Sequence, residues 1–521
     1  MSDYDAIVIG AGHNGLTAAV LLQRAGLRTV CLDAKRYAGG MAATVELFDG
    51  YRFEIAGSVQ FPTSAVVISE LGLDTLPTVD LEVMSVALRG VGDDPLVQYT
   101  DPMKMFAHLN EVHGADAVTG MAGLLAWAQA PTRALGRFEA GTLPKTFDEM
   151  YACATNEFER SAIDDMLFGS VTDVLDRYLP DRQKHAALRG SMTVLAVNTI
   201  YRGPATPGSA AALAFGLGIP DGDFVQMKKL RGGIGALTTH LCRLLQSHGG
   251  EVRLRSKVAE IRVEGGRVSG VRTEAGDILS APIVVSAVAP DVTVNGLIDP
   301  AALPADIRER YARIDHRGSY LQMHFALDET PSFTAPYQAL NDPTMQASIG
   351  IFCTPEQVQQ QWEECRRGIV PADPTVVLQI PSLHDPQLAP QGKHAASAFA
   401  MWFPIEGGAD YGRSKLDMGQ RVIDKITRLA PNFAGSITRH TTFTPKHMGV
   451  MFGAPGGDYC HGLLHPNQIG PNRPGPKGYI GQPIPIDGLY LGSAGCHGGP
   501  GITFIPGFNA GRAVLADSKR S

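Results

Sequence analysis

Gly10, Gly12 and Gly15, in the run Gly10-Ala11-Gly12-His13-Asn14-Gly15, together with the acid Asp33 beyond them, have the types and spacing to hold a dinucleotide. Gly10 permits a sharp turn out of a strand, and Gly12 lets backbone N–H groups approach a pyrophosphate. Gly15 lets the following helix pack closely on a sheet, its amino-terminal dipole facing the phosphates. Asp33 can accept both ribose hydroxyls of an adenosine, and its charge repels a 2′-phosphate. A glycine triplet alone says little in a chain with 59 glycines. The order strand, glycine turn, helix, strand, acid makes the reading specific, because a bare βα turn rarely carries the acid in that place.

The elements that must position these residues lie on either side of them. Asp5-Ala6-Ile7-Val8-Ile9 reads as a strand, Leu16 to Ala25 as a helix, and Thr29-Val30-Cys31-Leu32 as a second strand ending on Asp33. Val45-Glu46-Leu47-Phe48 and Tyr51-Arg52-Phe53-Glu54 alternate as a hairpin turned at Asp49-Gly50. From about Pro62 to Tyr201 the pattern is mostly helical with few strand signals, which suits a plain helical core or a helical substrate cap. Arg231-Gly232-Gly233-Ile234-Gly235 then leads into a helix from Ala236 to Gln246. A strand from Glu251 to Arg255, a hairpin turned at Gly265-Gly266 and the apolar strand Ile283 to Ala287 follow.

Between about Pro290 and Gly478, the segments Tyr320–Asp328, Ala347–Cys353, Thr375–Ile380 and Ser397–Phe403 read as an antiparallel sheet, with a helix from Arg413 to Leu429. Leu321, Met323, Phe325 and Leu327 should face one core. Gln322 and His324 should face the other side, where a histidine is more often a satisfied structural residue than a ligand. Gly488 to Gly495 forms a last strand, followed by Cys496-His497-Gly498-Gly499-Pro500-Gly501 and a helix start at Gly507. A strand feeding a glycine-rich turn and a helix amino terminus is a second cradle, for an anion or a ring edge.

Composition narrows the class. At 521 residues the chain should hold two domains, and 44% apolar with 19% charged residues is ordinary for a globular enzyme. A net charge of −7, without a dense Lys/Arg stripe, argues against a nucleic-acid partner. Seven scattered cysteines, none spaced as CxxC, suit a reducing compartment and offer neither a metal site nor a disulfide framework. The first strand starts so near Met1 that no leader is expected, and the apolar run from Ala205 to Pro220 is too short to span a bilayer. The expectation is a cytoplasmic protein, with peripheral membrane contact and a homodimer left open.

With these elements in place the chain resembles the flavin-dependent oxidoreductases of the phytoene-desaturase type, most of all the subgroup called pyridine nucleotide-disulfide oxidoreductase domain-containing protein 2. The residues that carry the resemblance are Gly10–Gly15 with Asp33, Gly39-Gly40-Met41-Ala42 with Thr44, and Pro207-Gly208-Ser209-Ala210. Arg231–Gly235, Pro455-Gly456-Gly457 with His461-Gly462, and Gly488 through Asn509 complete the set in order. The resemblance implies a Rossmann-type, two-dinucleotide FAD-binding domain of α/β plus antiparallel β class, from residues 1–61, 225–289 and 480–521. An interleaved substrate domain, antiparallel sheet plus helical cap, would take 62–224 and 290–479.

In that likeness Gly10, Gly12, His13, Asn14 and Gly15 meet the pyrophosphate, Asp33 the ribose, and Ala34 and Arg36 lie close by. Gly40, Met41 and Ala42 line the same site, and Val258 meets the adenine through its backbone. Gly495, His497, Phe508 and Asn509 lie against the isoalloxazine and ribityl chain. Two departures stand out. Gly39-Gly40-Met41 replaces the usual Gly-Gly-Arg, so one cationic phosphate contact is missing, and Cys496 beside the flavin edge raises a covalent thioether, less expected than a packing role.

The resemblance also implies chemistry: hydride abstraction to the flavin N5 from an apolar, isoprenoid- or lipid-like substrate, forming a C=C bond. Ala205–Asp223, poor in charge and rich in glycine and proline, is a candidate pocket lining. The accompanying proton needs a base, and His497 and His461 are the candidates, each with an equally weighted alternative role in bracing its glycine-rich loop. A flavin amine or amino-acid oxidase is the alternative, and an FAD-stabilised protein that acts through partner binding is another. No later strand feeds a second GxGxxG, so electrons should leave to oxygen, a quinone or a protein.

Overall fold

Ala6–Ile9, apolar at every position, is the central strand of a parallel sheet in the computed structural model, which describes residues 2–58, 62–88, 95–218, 224–225 and 229–519. The five strands run in the order Leu489–Leu491, Ile283–Ser286, Ala6–Ile9, Thr29–Leu32 and Glu251–Arg253. Every neighbouring pair is parallel. Alternate residues of the central strands bury on opposite faces, as the pleat requires. Ala6, Val8 and Cys31 pack with Leu16, Leu237 and Phe508 from helices, whereas Ile7, Ile9, Val30 and Leu32 pack with Val258, Ile261 and Val271. Those last residues belong to a three-stranded antiparallel meander, Val258–Glu264, Arg267–Thr273 and Ile278–Ser280, turned at Gly265-Gly266 as the sequence predicts.

The helices His13–Arg24 and Ile505–Ser518 lie side by side on one face of this sheet. Their backbones approach so closely at Gly507 that a Cβ there would sit 1.9 Å from the Asn14 carbonyl oxygen. The first and last segments of the chain are thereby locked together, which brings the carboxy-terminal glycine loop to the amino-terminal glycine turn.

A second sheet has seven strands in the order Ile437–Phe443, Tyr320–Leu327, His394–Met401, Thr375–Gln379, Ser348–Ile351, Val83–Leu88 and Leu96–Tyr99. Leu321, Met323, Phe325 and Leu327 face one core with Met418, Val422 and Ile426 of the helix Tyr411–Leu429. On the other face His324 is fully buried, with Nδ1 2.8 Å from Ser397 Oγ and Nε2 3.2 Å from the Ile55 carbonyl. It is a satisfied structural residue.

The segment Pro62–Tyr201 is mostly helical, as the pattern predicts, and one expectation needs correction. Val83–Leu88 and Leu96–Tyr99 pair as a hairpin at the sheet edge. Val86, Ala87 and Leu88 are buried in succession, so the polar–apolar alternation that reveals a half-buried strand is missing. Val83–Leu88 also runs parallel to Ser348–Ile351, so the sheet is mixed rather than wholly antiparallel. The helices of this segment from Pro102 onward share a core in which Trp127, Met166, Leu175 and Val197 meet Leu213 and Phe215. Within Ala205–Asp223 the helix Ala210–Leu217 is packed into that core, and residues 219–223 lie outside the described residues. Among the described residues no helix is long and apolar enough to cross a membrane.

Candidate active site

Gly10 leaves the central strand with φ of 96°, a conformation open to glycine, and its N–H donates to the Leu32 carbonyl at 2.7 Å. A Cβ on Gly15 would lie 1.8 Å from the Gly10 carbonyl oxygen, so this glycine is required by helix–strand packing. Gly12 differs, since a Cβ there would meet no protein atom within 4 Å. Gly12 also begins the helix His13–Arg24 without a side chain to cap it, and no acidic residue lies in the first turn. Open space at an uncapped helix start is what a pyrophosphate needs. Asp33 accepts the Ala11 N–H through Oδ2 and the Lys35 N–H through Oδ1, both at 2.8 Å, leaving further lone pairs for ribose hydroxyls. Burial raises its pKa above the ordinary carboxylate value. These residues fit an adenine dinucleotide.

The other predicted dinucleotide residues gather around this turn to different degrees. The Gly39 N–H donates to the Ala11 carbonyl at 2.7 Å, and Gly40 packs over Gly12, with its Cβ position 3.6 Å from the Gly12 Cα. Ala42 is buried, and the Met41 carbonyl accepts the Gly57 N–H at 2.9 Å. Val258 is brought close because the Ser256 N–H donates to the Asp33 carbonyl at 2.7 Å. Ala34 and Arg36 lie on an exposed bend after Asp33. Phe508 is a core side chain under the Arg512 guanidinium, which lies 5.0 Å from its ring centre.

At the carboxy-terminal loop the structure separates residues that the sequence groups together. Asn509 Oδ1 accepts the Gly141 N–H at 2.6 Å, and its Nδ2 donates to the His497 carbonyl at 3.4 Å. His497 is buried, with Nε2 3.2 Å from Thr142 Oγ1. Burial, then Lys145 and Arg473, push its imidazole down to about 3. Both side chains are thus committed to the stretch that follows the helix Ala115–Leu135. Gly495 is required by packing, because a Cβ would lie 2.3 Å from the His461 carbonyl oxygen. Cys496 is almost fully buried in the core beside the meander, and burial pushes its thiol up to about 11.

His461 is different. It takes φ of 53°, its buried Nδ1 has no partner among the described residues, and the residue as a whole is half-buried. Burial holds its imidazole at about 4, and burial with the nearby His461 holds His13 at about 3. Both rings are therefore neutral near pH 7. His13, of the amino-terminal glycine turn, also meets Phe504 edge-on with ring centres 5.5 Å apart. The structure therefore brings the amino-terminal turn, the His461 loop and the carboxy-terminal helix start to one place.

Three residues that the sequence reading missed hold this place together. Arg473, buried, donates to five carbonyls: Cys496 at 3.2 Å, Gly462 at 3.0 Å, Gln468 at 3.2 Å, Cys460 at 3.1 Å and Ala494 at 2.6 Å. It clamps the carboxy-terminal loop to the His461 loop. Arg473→Met leaves those carbonyls without their charged donor and should cost at least ~3 kcal/mol, read as a lower melting temperature of the apoprotein. Arg473→Lys, with fewer donors, should recover only part.

The other two are Asp458 and His316. His316 Nε2 lies 2.9 Å from Asp291 Oδ1, a charge contact outside hydrogen-bond geometry, and its Nδ1 is hydrogen-bonded with Asp458 Oδ2 at 3.2 Å. Burial opposes a charge on this ring, but the two carboxylates outweigh it and raise it to about 9. A histidine raised in the folded state stabilises fully below its ordinary value of 6.5, and that stability is lost as pH rises through about 9. Melting temperature should therefore fall from pH 6.5 to above 9. His316→Gln should flatten that part of the curve.

The glycine turn, the open helix start and Asp33 fit the cofactor of an FAD-dependent oxidoreductase, and that is the class of this protein. The chain belongs to the family described as flavin containing amine oxidoreductase, which matches residues 15–361. It is similar to pyridine nucleotide-disulfide oxidoreductase domain-containing protein 2 of Mus musculus, at 27% identity over 99% of this chain and 94% of that one. Phytoene desaturase (lycopene-forming) of Pseudescherichia vulneris is 26% identical over 95% of each chain. Among solved structures, putrescine oxidase bound to putrescine is 16% identical over 99% of each chain, with a TM-score of 0.61. Cyclohexylamine oxidase from Brevibacterium oxydans is 15% identical over 100% of each, with a TM-score of 0.60. The structural likenesses speak for the fold alone. FAD is the cofactor, and the phytoene-desaturase resemblance stands.

Proposed function

We propose that this protein removes a hydride and a proton from neighbouring carbons of a largely apolar, isoprenoid- or lipid-like substrate, leaving a C=C bond. Bound FAD supplies the hydride acceptor. The observation that carries the reading is His461: a neutral imidazole with a free Nδ1, beside the turn that receives the dinucleotide. Such a group takes a proton without first having to lose one. In this reading Gly12 and the helix start hold the pyrophosphate, Asp33 the ribose, and Arg473 fixes the loop at the reacting end. His497, tied to Thr142, braces the cap rather than acting as the base. Electrons then pass to oxygen, a quinone or a protein.

One feature favours amine oxidation as a second reading. Between the seven-stranded sheet and the helices, a cavity of about 10 Å³ is lined by Tyr320, Phe399, Trp402, Tyr459 and Asp458. Tyr320 stacks on Phe399 with ring centres 5.2 Å apart and meets Tyr459 edge-on at 5.3 Å. Aromatic faces beside a carboxylate suit an organic cation. Its volume, however, matches one water and not a substrate.

Anaerobic bleaching of the oxidised flavin separates the two readings. Phytoene and limonene serve as isoprenoid probes, and putrescine and cyclohexylamine as amine probes. Reduction by the hydrocarbons with a new double bond in the product supports desaturation, whereas reduction by the amines alone reverses the order. Dithionite-reduced protein that no acceptor reoxidises would point instead to a partner-binding role.

A further inference from the structure

A base must be held at one place, and His461 is not held by its own ring, whose Nδ1 has no partner among the described residues. Its φ of 53° is one that residues other than glycine seldom adopt. The residues on either side are gripped at both backbone groups. Asp458 accepts the N–H of Cys460 at 2.7 Å and that of Gly462 at 2.6 Å. Arg473 donates to the carbonyls of the same two residues, at 3.1 and 3.0 Å. An anion and a cation therefore fix the turn from opposite sides.

Behind Asp458 stands His316, and behind His316 stands Asp291, at the separations of 3.2 and 2.9 Å given above. Asp291 lies just beyond the strand Ile283–Ser286, which pairs with Ala6–Ile9 at the centre of the parallel sheet. The His461 turn is thus braced to the sheet that carries the dinucleotide. Side-chain exposure falls along the line from 20% at Asp291 to 9% at His316 and 2% at Asp458, so water is a poor substitute for the inner contacts.

We propose that Asp458, braced by His316 and Asp291, is the positioning residue that aims His461 at the reacting carbon. This rests on the reading of His461 as the base. Asp458 acts through the turn and through its charge. His461 faces Asp458, His316, Asp291 and Arg473 on this side and His13 from the amino-terminal glycine turn. Removing the carboxylate of Asp458 disfavours protonated His461, whereas removing the charge of His316 favours it. The two variants must therefore move the His461 titration in opposite directions, and Asp458→Asn must in addition slow anaerobic flavin reduction by phytoene or limonene, which a wild-type rate there would refute.

The test is the ring titration of His461 in full-length, FAD-loaded protein with isotopically labelled histidine, its resonance identified by its loss in His461→Asn. Asp458→Asn should lower the midpoint by about one pH unit, and His316→Gln should raise it by a similar amount. Asp458→Glu, which keeps the charge, should restore the wild-type midpoint. An unchanged His461 titration in both Asp458→Asn and His316→Gln overturns the positioning role. The base reading is judged separately, by the rate at which His461→Asn is reduced anaerobically by phytoene or limonene. A wild-type rate there removes His461 from the chemistry, whatever its titration shows.

Discussion

Gly12→Ala should give a protein that folds normally and has lost its flavin. At Gly12 the backbone lies at φ −73° and ψ 172°, extended geometry that alanine adopts freely, and the added methyl meets no protein atom within 4 Å. The apoprotein should therefore melt within about 4 °C of wild type, because the half-buried methyl enters open space at unstrained backbone and the helix N-cap loses only about 1 kcal/mol. The methyl instead fills the space at the helix start where the pyrophosphate must approach. FAD affinity should fall at least about a hundredfold, some 2.8 kcal/mol, as read by fluorescence titration. Gly15→Ala is the control, since its Cβ would lie 1.8 Å from the Gly10 carbonyl oxygen. That clash with backbone should destabilise the apoprotein by about 1–3 kcal/mol as well as impair FAD binding. Wild-type FAD affinity in Gly12→Ala would mean that the dinucleotide lies elsewhere.

The contrast between these two glycines shows what a sequence reports and what it does not. The triplet and Asp33 were legible because strand, turn, helix and acid follow one another within a short stretch, each constrained by local geometry. Ala6–Ile9 and Thr29–Leu32 were legible as short apolar runs ended by Gly10 and Asp33. The meander was marked by its Gly265-Gly266 turn. But only the structure divides the roles, making Gly15 a packing residue and Gly12 a residue of open space.

Where partners are far apart in the chain, spacing carries no signal. Asp291, His316, Asp458 and Arg473 meet through tertiary folding, and Arg473 is recognised only by the carbonyls it reaches. A lone arginine among glycines and prolines reads as a solvated charge. The strand Ile437–Phe443 was missed because it edges its sheet and exposes Thr438, Arg439 and His440. His497 sits in a glycine-rich loop that invites a ligand and Asn509 near the start of the helix after it, yet their side chains face Thr142 and Gly141, beyond the end of the helix Ala115–Leu135. Nothing local to either stretch marks that pairing.

The two histidines therefore part company in a measurable way. His461→Asn should keep its FAD and lose about 10²- to 10⁴-fold in the rate of anaerobic flavin reduction by substrate, the range that a general base contributes. His497→Asn should reduce at close to the wild-type rate and lose about 1 kcal/mol of stability, the worth of one hydrogen bond to Thr142. The pH dependence adds a sign. A base must be unprotonated, and burial holds His461 down at about 4. The wild-type reduction rate should be flat near neutrality and fall as the pH drops through about 4, a limb that His461→Asn should lack. A wild-type rate in His461→Asn with a collapse in His497→Asn would exchange the roles. The Thr142 contact would then be the means of aiming His497, and the stretch that follows the helix Ala115–Leu135 would become part of the catalytic wall.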